Sequence, residues 1–373
     1  MNSLEIIQQR LSNQHLAGNP LEKPEDVVAW LGAVQAQDYA GAKWAVGQRV
    51  EGADETTLDQ AFNEGKILRT HVMRPTWHFV VPADIRWLLE LTAPRVNQVN
   101  AYMYRQLELD EALFVRSNNA IAEALVGGKY LTRPELGAVL GRVGIAAEGM
   151  RLGYIIHRAE LEAVVCSGPR RGKQFTYALL EERAPQAKSL PYDEALAELT
   201  KRYFTGHGPA MAKDFAWWSG LTLADVRAGL EMVKDALVQE TIGNQTYWLS
   251  PDRPLVIAPS PAAHLLPNYD EYLISYRDGR YTIDPKYVQL FALRNVVFSH
   301  LVVVDGRVVG SWKRTFQKKR VVITLRLFEP VNEAQSQAIR VAAERFGRFL
   351  GLPVTLIDDP LPVDFDEGVF HFN

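Results

Sequence analysis

Three segments of the sequence combine residue types that can do chemistry. The first is Gln35-Ala36-Gln37-Asp38. Two amides two residues apart diverge on a helix but project to one side of an extended segment, so they converge on one point only if the helix stops before them. The helix beginning at Pro24 is expected to run to about Val34, with Asp38, Tyr39 and Gly41 favouring its stop. Glutamines at a helix end also have a structural use, which is to bond the free carbonyls of the last turn. The second segment is the ribbon from Arg69 to His78, two strands around Arg74-Pro75. Alternation puts Arg69 with His71 on one face of their strand and Thr76 with His78 on one face of theirs. Arg69, Arg74, His71, His78 and Trp77 on one ribbon suit a surface that meets phosphate and a base. A solvated hairpin with Trp77 in the core is the alternative. The third segment runs from Leu265 to Asp278. Asp270 and Glu271 can serve as acid or base, but adjacent carboxylates diverge and at most one would face a substrate. The structural alternative is a clasp in which Arg277 pairs with a carboxylate while the tyrosines pack.

The elements that must position these residues repeat along the chain. Three segments show a helix, a short helix, a longer helix and then a turn with a pair of strands, the order of a winged helix. The first copy, with linking helices, spans 1–110, the second 111–185 and the third 186–255. In the second copy Thr132, Pro134 and Glu135 form an N-terminal cap, and Gly168 to Lys173 makes a basic turn carrying Arg170, Arg171 and Lys173. Residues 256–357 change character. Val296–Val304, Arg307–Trp312 and Arg320–Phe328 are β-branched and alternating, Asp305-Gly306 marks a hairpin, and Asn332–Leu350 is an amphipathic helix. The fold class expected is therefore α+β, mainly helical, with three tandem winged helices, a β-rich C-terminal unit and an acidic tail at 358–373.

Composition narrows the function classes. The chain has 373 residues, 41 Lys+Arg against 44 Asp+Glu and a net charge of −3, so no overall positive field draws it to nucleic acid. The cations are concentrated instead: ten Lys/Arg against four Asp/Glu fall between residues 300 and 350, among them Lys313, Arg314, Lys318, Lys319 and Arg320. The single cysteine, Cys166, allows no intrachain disulfide, and the scattered histidines give no metal spacing. No signal peptide or apolar span is visible, so a cytoplasmic chain without metal or cofactor is expected. Phosphate-loop, nucleophile-elbow and zincin motifs are absent.

Gln35-Ala36-Gln37, the ribbon Thr70-His71-x-x-Arg74-x-Thr76-Trp77-His78, the segment Leu265-Leu266-Pro267-x-x-Asp270-Glu271-Tyr272-x-x-Ser275-Tyr276-Arg277-Asp278 and the later Trp312-Lys313-Arg314 carry a resemblance. Together, over roughly residues 1–357, they resemble the winged-helix DNA glycosylases of the AlkZ and YcaQ superfamily. The resemblance implies tandem winged helices that bind damaged duplex DNA and release alkylated, including crosslinked, purines. It implies Gln35 and Gln37 as the catalytic pair, in the Gln-x-Gln form of the AlkZ-like branch; the Gln-x-Asp form of the YcaQ branch would need an aspartate one residue before Asp38. Asp38, His71, His78, Asp270 and Glu271 are then expected as support. Arg69, Arg74, Trp77, Arg277 and the 170–173 and 313–320 cations are expected on DNA. On this resemblance the chain is expected to act as a nucleoid-associated monomer. A winged-helix transcription regulator is the competing class; it would dimerise and need a recognition helix with several base readers, whereas the helix between Glu148 and Val164 offers only Arg151, His157 and Arg158. A different hydrolase centred on Asp270 and Glu271 is a third.

Overall fold

The computed structural model describes residues 1–252, 256, 259–277, 281–287 and 300–359. Asp278 of the third segment, the start of the strand expected from Val296 and the acidic tail beyond residue 359 lie outside them. The described residues of 1–257 and 269–279 form one compact unit, and those of 258–268 and 280–373 form another. The segment 269–277, expected in the C-terminal unit, thus belongs to the first.

In the first unit one element order recurs. It begins with α1 (Ser3–Asn13) and α2 (Pro24–Leu31), followed by β1 (Val34–Gln35), α3 (Tyr39–Gly47), α4 (Glu55–Glu64), β2 (Leu68–Val72) and β3 (Thr76–Val80), with sheet order β1-β3-β2. The linking helix α5 (Ile85–Gln106) leads to α6 (Glu111–Leu125), β4 (Leu131–Thr132), α7 (Arg133–Arg142), α8 (Gly149–Leu161), β5 (Val165–Ser167) and β6 (Thr176–Leu179), in sheet order β4-β6-β5. After the short α9 (Leu180–Arg183) come α10 (Tyr192–Gly206), α11 (Ala212–Ser219), α12 (Leu223–Val233), β7 (Val238–Ile242) and β8 (Gln245–Leu249), where a single bridge from Ala210 to Trp248 stands in place of the first strand. In each copy the residues that follow α2, α6 or α10 pair with the last strand. Every copy therefore ties the connection behind that helix to its own hairpin.

Local sequence explains the boundaries that matter. Gly32, at φ 76°, ends α2 in a backbone conformation that side chains disfavour, so the helix stops at Leu31, three residues before Val34. Asp38, read as part of that stop, instead caps a new helix, its side chain accepting from the Gly41 N–H. In the second copy β4 runs directly into α7, whose Thr132–Glu135 capping box forms as expected. In the first copy Ala36 and Gln37 are inserted between strand and cap. That two-residue extension supplies the last two residues of the Gln-x-Gln segment, whose first, Gln35, ends β1.

The second unit is a five-stranded sheet in the order β13-β12-β11-β10-β9, formed by β9 (Ala263–Leu266), β10 (Leu301–Val304), β11 (Arg307–Gln317), β12 (Arg320–Leu327) and β13 (Val354–Asp358). Its amphipathic helix α14 (Glu333–Leu350) buries Ile339, Ala343 and Phe346, numbered after the four-residue α13 (Glu271–Ile274) of the first unit. Asp358, assigned to the tail by composition, ends β13, which pairs in parallel with β12. Trp312 is buried and donates its indole N–H to the Leu266 carbonyl. Among the described residues no helix is long and apolar enough to cross a membrane.

Candidate active site

Gln35 and Gln37 lie on the extended exit of β1 and differ in exposure: Gln35 is 7% exposed and Gln37 is open to solvent. Five polar groups of the segment are held. The Gln35 N–H donates to Glu271 Oε1 at 2.8 Å, and the Ala36 N–H donates to the Trp77 carbonyl at 2.7 Å. The Ala36 carbonyl accepts from Arg69 Nε at 3.0 Å. Arg74 Nη2 donates to Gln35 Oε1 at 3.1 Å. A guanidinium has only donors, so the Gln35 oxygen must face it and the orientation of that amide is set. Gln37 Oε1 accepts a longer bond, 3.4 Å, from the Trp77 N–H.

The supporting groups are buried. Glu271 Oε2 accepts from Trp218 Nε1 at 2.8 Å and from Ser275 Oγ at 2.7 Å. Burial raises the Glu271 carboxyl above its usual range, while the Gln35 N–H, Ser275, Trp218 and the Arg74 charge pull it back. Asp270 is clasped by Arg49 through Nη2–Oδ1 at 2.7 Å and Nη1–Oδ2 at 2.9 Å, and both residues are at most 1% exposed. The clasp foreseen for Arg277 is thus made by Arg49, while Arg277 is exposed. With Asp270 and Glu271 both at 0% exposure, a hydrolase centred on them is not what the structure builds. Glu271 instead holds the Gln35 N–H, and Asp270 holds Arg49 and the Tyr272 N–H.

The ribbon places its residues differently from the phosphate grip expected of it. Register pairs His71 with Trp77 and Thr70 with His78, so the two imidazoles occupy opposite faces of the sheet. His78 is fully buried next to Gln35, its Nδ1 on the Thr76 carbonyl at 2.9 Å. Burial lowers His71 and His78 to about 3, so neither is a cation at neutral pH. Arg69 is 7% exposed and sandwiched between the Trp77 ring at 4.0 Å and the Phe175 ring at 4.6 Å. Burial lowers it to about 10, which leaves it charged but committed to holding Ala36. Arg74 is likewise committed to Gln35. Arg69, Arg74, His71 and His78 are therefore internal supports, because desolvated and partnered groups cannot reach a phosphate.

The other cations are mixed. In the 168–173 turn Arg170 lies over Tyr39 and Phe175 and Arg171 pairs with Glu135, while Lys173 is exposed. On the β11–β12 hairpin Lys313, Lys318, Lys319 and Arg320 are exposed, Arg314 is half-buried and Phe316 is 58% exposed. The few side chains α8 offers for base reading are occupied: Arg151 bonds the Ala146 and Leu107 carbonyls, Arg158 pairs with Glu111 and Glu162, and His157 is buried. Sequence reasoning missed Arg49, Trp218 and Glu160. Glu160 had a signal, since it falls four and eight residues after the apolar Ile156 and Leu152 and so shares their buried face. Among the described residues no cluster fit for a metal ion occurs.

The AlkZ-like DNA glycosylase family matches residues 28–349, a span that contains both glutamines, the ribbon and the Asp270–Glu271 support. The chain belongs to that family. A Streptomyces sahachiroi protein described as an interstrand DNA cross-link repair glycosylase is 26% identical to it over 368 residues, covering 93% of this chain and 97% of the other. The solved structure of Streptomyces sahachiroi DNA glycosylase AlkZ shares the fold, with a TM-score of 0.81 at 24% identity, and the match covers 96% of this chain and 100% of that one. Membership in the AlkZ-like family makes the chain a DNA glycosylase and decides against the transcription-regulator reading.

The buried histidines give the AlkZ-like chain a pH signature. Burial holds His71 and His78 near 3, His157 near 2 and His207 near 4. Unfolded, each regains a value of about 6.5, so below that pH the unfolded chain binds more protons and stability falls as pH drops, by up to about 1.4 kcal/mol per group per pH unit. Glu160 and Glu271, raised by burial, work in the opposite sense but are outnumbered. Thermal melts followed by circular dichroism should show a marked fall in Tm between pH 7.5 and 5. A flat Tm over that range would contradict neutral burial.

Proposed function

We propose that this glycosylase hydrolyses the N-glycosidic bond of purines made cationic by N7 or N3 alkylation in duplex DNA, with Gln35 and Gln37 as its catalytic residues. The observation that carries this is the pinned, extended Gln35-Ala36-Gln37 segment, with one amide locked by Arg74 and the next facing solvent. An alkylated purine already bears the positive charge that makes it a good leaving group. C1′–N9 cleavage sends the bonding electrons to N9 and yields a neutral base without an acid, leaving a sugar oxocarbenium ion. A water oxygen then bonds C1′ and releases its proton to solvent. The protein need only orient that water and stabilise the cation, tasks suited to amide carbonyls held in place beforehand. Gln35 Oε1 keeps a second lone pair beyond the one given to Arg74. The buried Glu271 offsets the Arg74 charge near the developing cation.

The three recurring copies are read as winged helices, with the exposed Lys173 and the Lys313–Arg320 hairpin holding the duplex as a monomer does. The relative named for cross-link repair supports unhooking of interstrand crosslinks as part of the range. DNA carrying 7-methylguanine, 3-methyladenine or a nitrogen-mustard crosslink should yield abasic sites that alkali cleaves. No product from any of the three would overturn the reading. Replacing Lys318 and Lys319 together by alanine should flatten the slope of log K against log salt by about 0.9 per lost phosphate contact, close to two for the pair. An unchanged slope would remove this hairpin from the DNA-binding surface.

A further inference from the structure

The Gln35 side chain is recessed, with its amide oxygen turned to Arg74. Chemistry at C1′ therefore requires the damaged nucleotide to come to the protein, which takes it out of the base stack and uncovers the ring faces of its neighbours. Aromatic side chains at the surface beside the segment are the groups that can replace the lost stacking. All eight tryptophans fall within the described residues, and of these only Trp217 is exposed, at 51%.

Two links tie Trp217 to the partners of Gln35. Gly220, three residues on, ends α11 at φ 74° and packs so closely on the β2–β3 loop that a Cβ there would stand 2.6 Å from the Met73 carbonyl oxygen and 3.4 Å from Arg74 Cγ. Arg74 is the residue that holds Gln35 Oε1. On the other side, Trp217 Nε1 donates to the Ile274 carbonyl at 3.1 Å, and Ile274 closes the single turn of α13 that Glu271 opens. Glu271 is the acceptor of the Gln35 N–H. The bond to Ile274 fixes the edge of the indole, so its open face is held at the surface. One turn before Trp217, Asp214 Oδ1 accepts from the Arg277 N–H at 3.1 Å, which places an exposed guanidinium next to the ring. Ring and cation together suit a base and its phosphate.

A second ring stands by the other end of the segment. Tyr269 is half-exposed and has φ 62°, a left-handed conformation that glycine adopts freely and a bulky residue only at a cost. Its successors hold it there, since Asp270 is clasped by Arg49 and Glu271 is bonded to Gln35. Partial burial and the Asp38 carboxylate raise its phenol above the usual range, which sets the ring near the residue that follows Gln37. We propose that Trp217 and Tyr269 are stacking contacts for the lesion-bearing strand, each covering a nucleobase that is bared when the damaged nucleotide turns toward Gln35 and Gln37. The proposal rests on the glycosylase reading above and adds to it the residues that hold the opened strand. Ring faces accept any base, so these contacts favour an opened duplex over an intact one without reading sequence.

A duplex carrying a tetrahydrofuran abasic analogue has no base to release at that site and tests the contacts without turnover. In fluorescence anisotropy with the full chain, Trp217→Ala/Tyr269→Ala should bind it at least about tenfold more weakly, while affinity for the intact duplex stays within about twofold. Trp217→Phe/Tyr269→Phe keeps both ring faces and should bind both duplexes within about threefold of the unmodified chain. Tyr269→Gly relieves the backbone, so its Tm should hold or rise while binding to the analogue falls at least about threefold, which separates contact from folding. Acrylamide quenching of tryptophan emission should fall on saturation with the analogue duplex. No preference for the analogue in the unmodified chain would overturn the proposal. So would a preference that survives in the alanine pair, an equal loss on both duplexes, or quenching unchanged by saturation. Gln35→Ala/Gln37→Ala should bind the analogue like the unmodified chain. Excision retained by that variant would sink the catalytic assignment while leaving the stacking result standing, so the two failures are distinguishable.

Discussion

Replacing Gln35 and Gln37 together by alanine is expected to lower single-turnover release of 7-methylguanine by at least about 10³-fold while leaving the affinity for the same duplex within about threefold. Loss of one preorganised dipole at a reacting centre typically costs about 10²–10³ in rate, so the pair should exceed that. The separation of rate from affinity follows from where the residues sit. Gln35 is almost wholly buried and makes its described contacts to Arg74 and Glu271, so its truncation leaves the exposed cations of Lys173 and the 313–320 hairpin untouched. Fluorescence anisotropy for binding and quenched-flow release for chemistry check the two parts. Excision at the unmodified rate would end the assignment of these glutamines.

Asp270→Ala carries the largest expected effect on stability. It leaves Arg49, 1% exposed, without its bidentate partner, and removes the acceptor of the Tyr272 N–H at the start of α13. Breaking one half of a buried pair costs about 3–5 kcal/mol because the surviving charge stays desolvated. For a chain of this size each kcal/mol moves Tm by about 2–4 °C, so a fall of the order of 10 °C is expected in a thermal melt. Arg49 keeps bonds to the Gln14 and Ala45 carbonyls, which limits the loss but does not replace the charge. A Tm within 2 °C of the unmodified protein, an interval of about 1 kcal/mol or less, would show that water reaches the guanidinium.

The same residues show what could be read from the chain alone. Alternation gave the faces of each strand in the ribbon correctly, but which face of one strand meets which face of the other depends on the hairpin register. Val72 pairs with Thr76 across a three-residue loop that opens at Met73 with φ 62°, and this separates His71 from His78. Asp38 was ambiguous because a residue that favours a turn also favours an N-cap, and only the helix Tyr39–Gly47 behind it decides. Cationic side chains on the ribbon looked like phosphate ligands because composition does not report burial; Arg69 and Arg74 are in fact spent on the Ala36 carbonyl and the Gln35 amide. The Arg49–Asp270 pair was out of reach for a different reason. Its partners are 221 positions apart, and nothing local to either marks the other.

The acceptor for the Gln35 N–H, Glu271, is likewise 236 positions downstream. A chain growing from its N-terminus completes the first sheet, with both glutamines in it, some 190 residues before this anchor exists. Such distant closure is entropically slow, and it comes late. A nascent or truncated chain ending before residue 269 would carry every strand of the first sheet yet leave the Gln35 N–H without its Glu271 acceptor, so on the role proposed for these glutamines competence for base excision is withheld until synthesis has passed all three recurring copies.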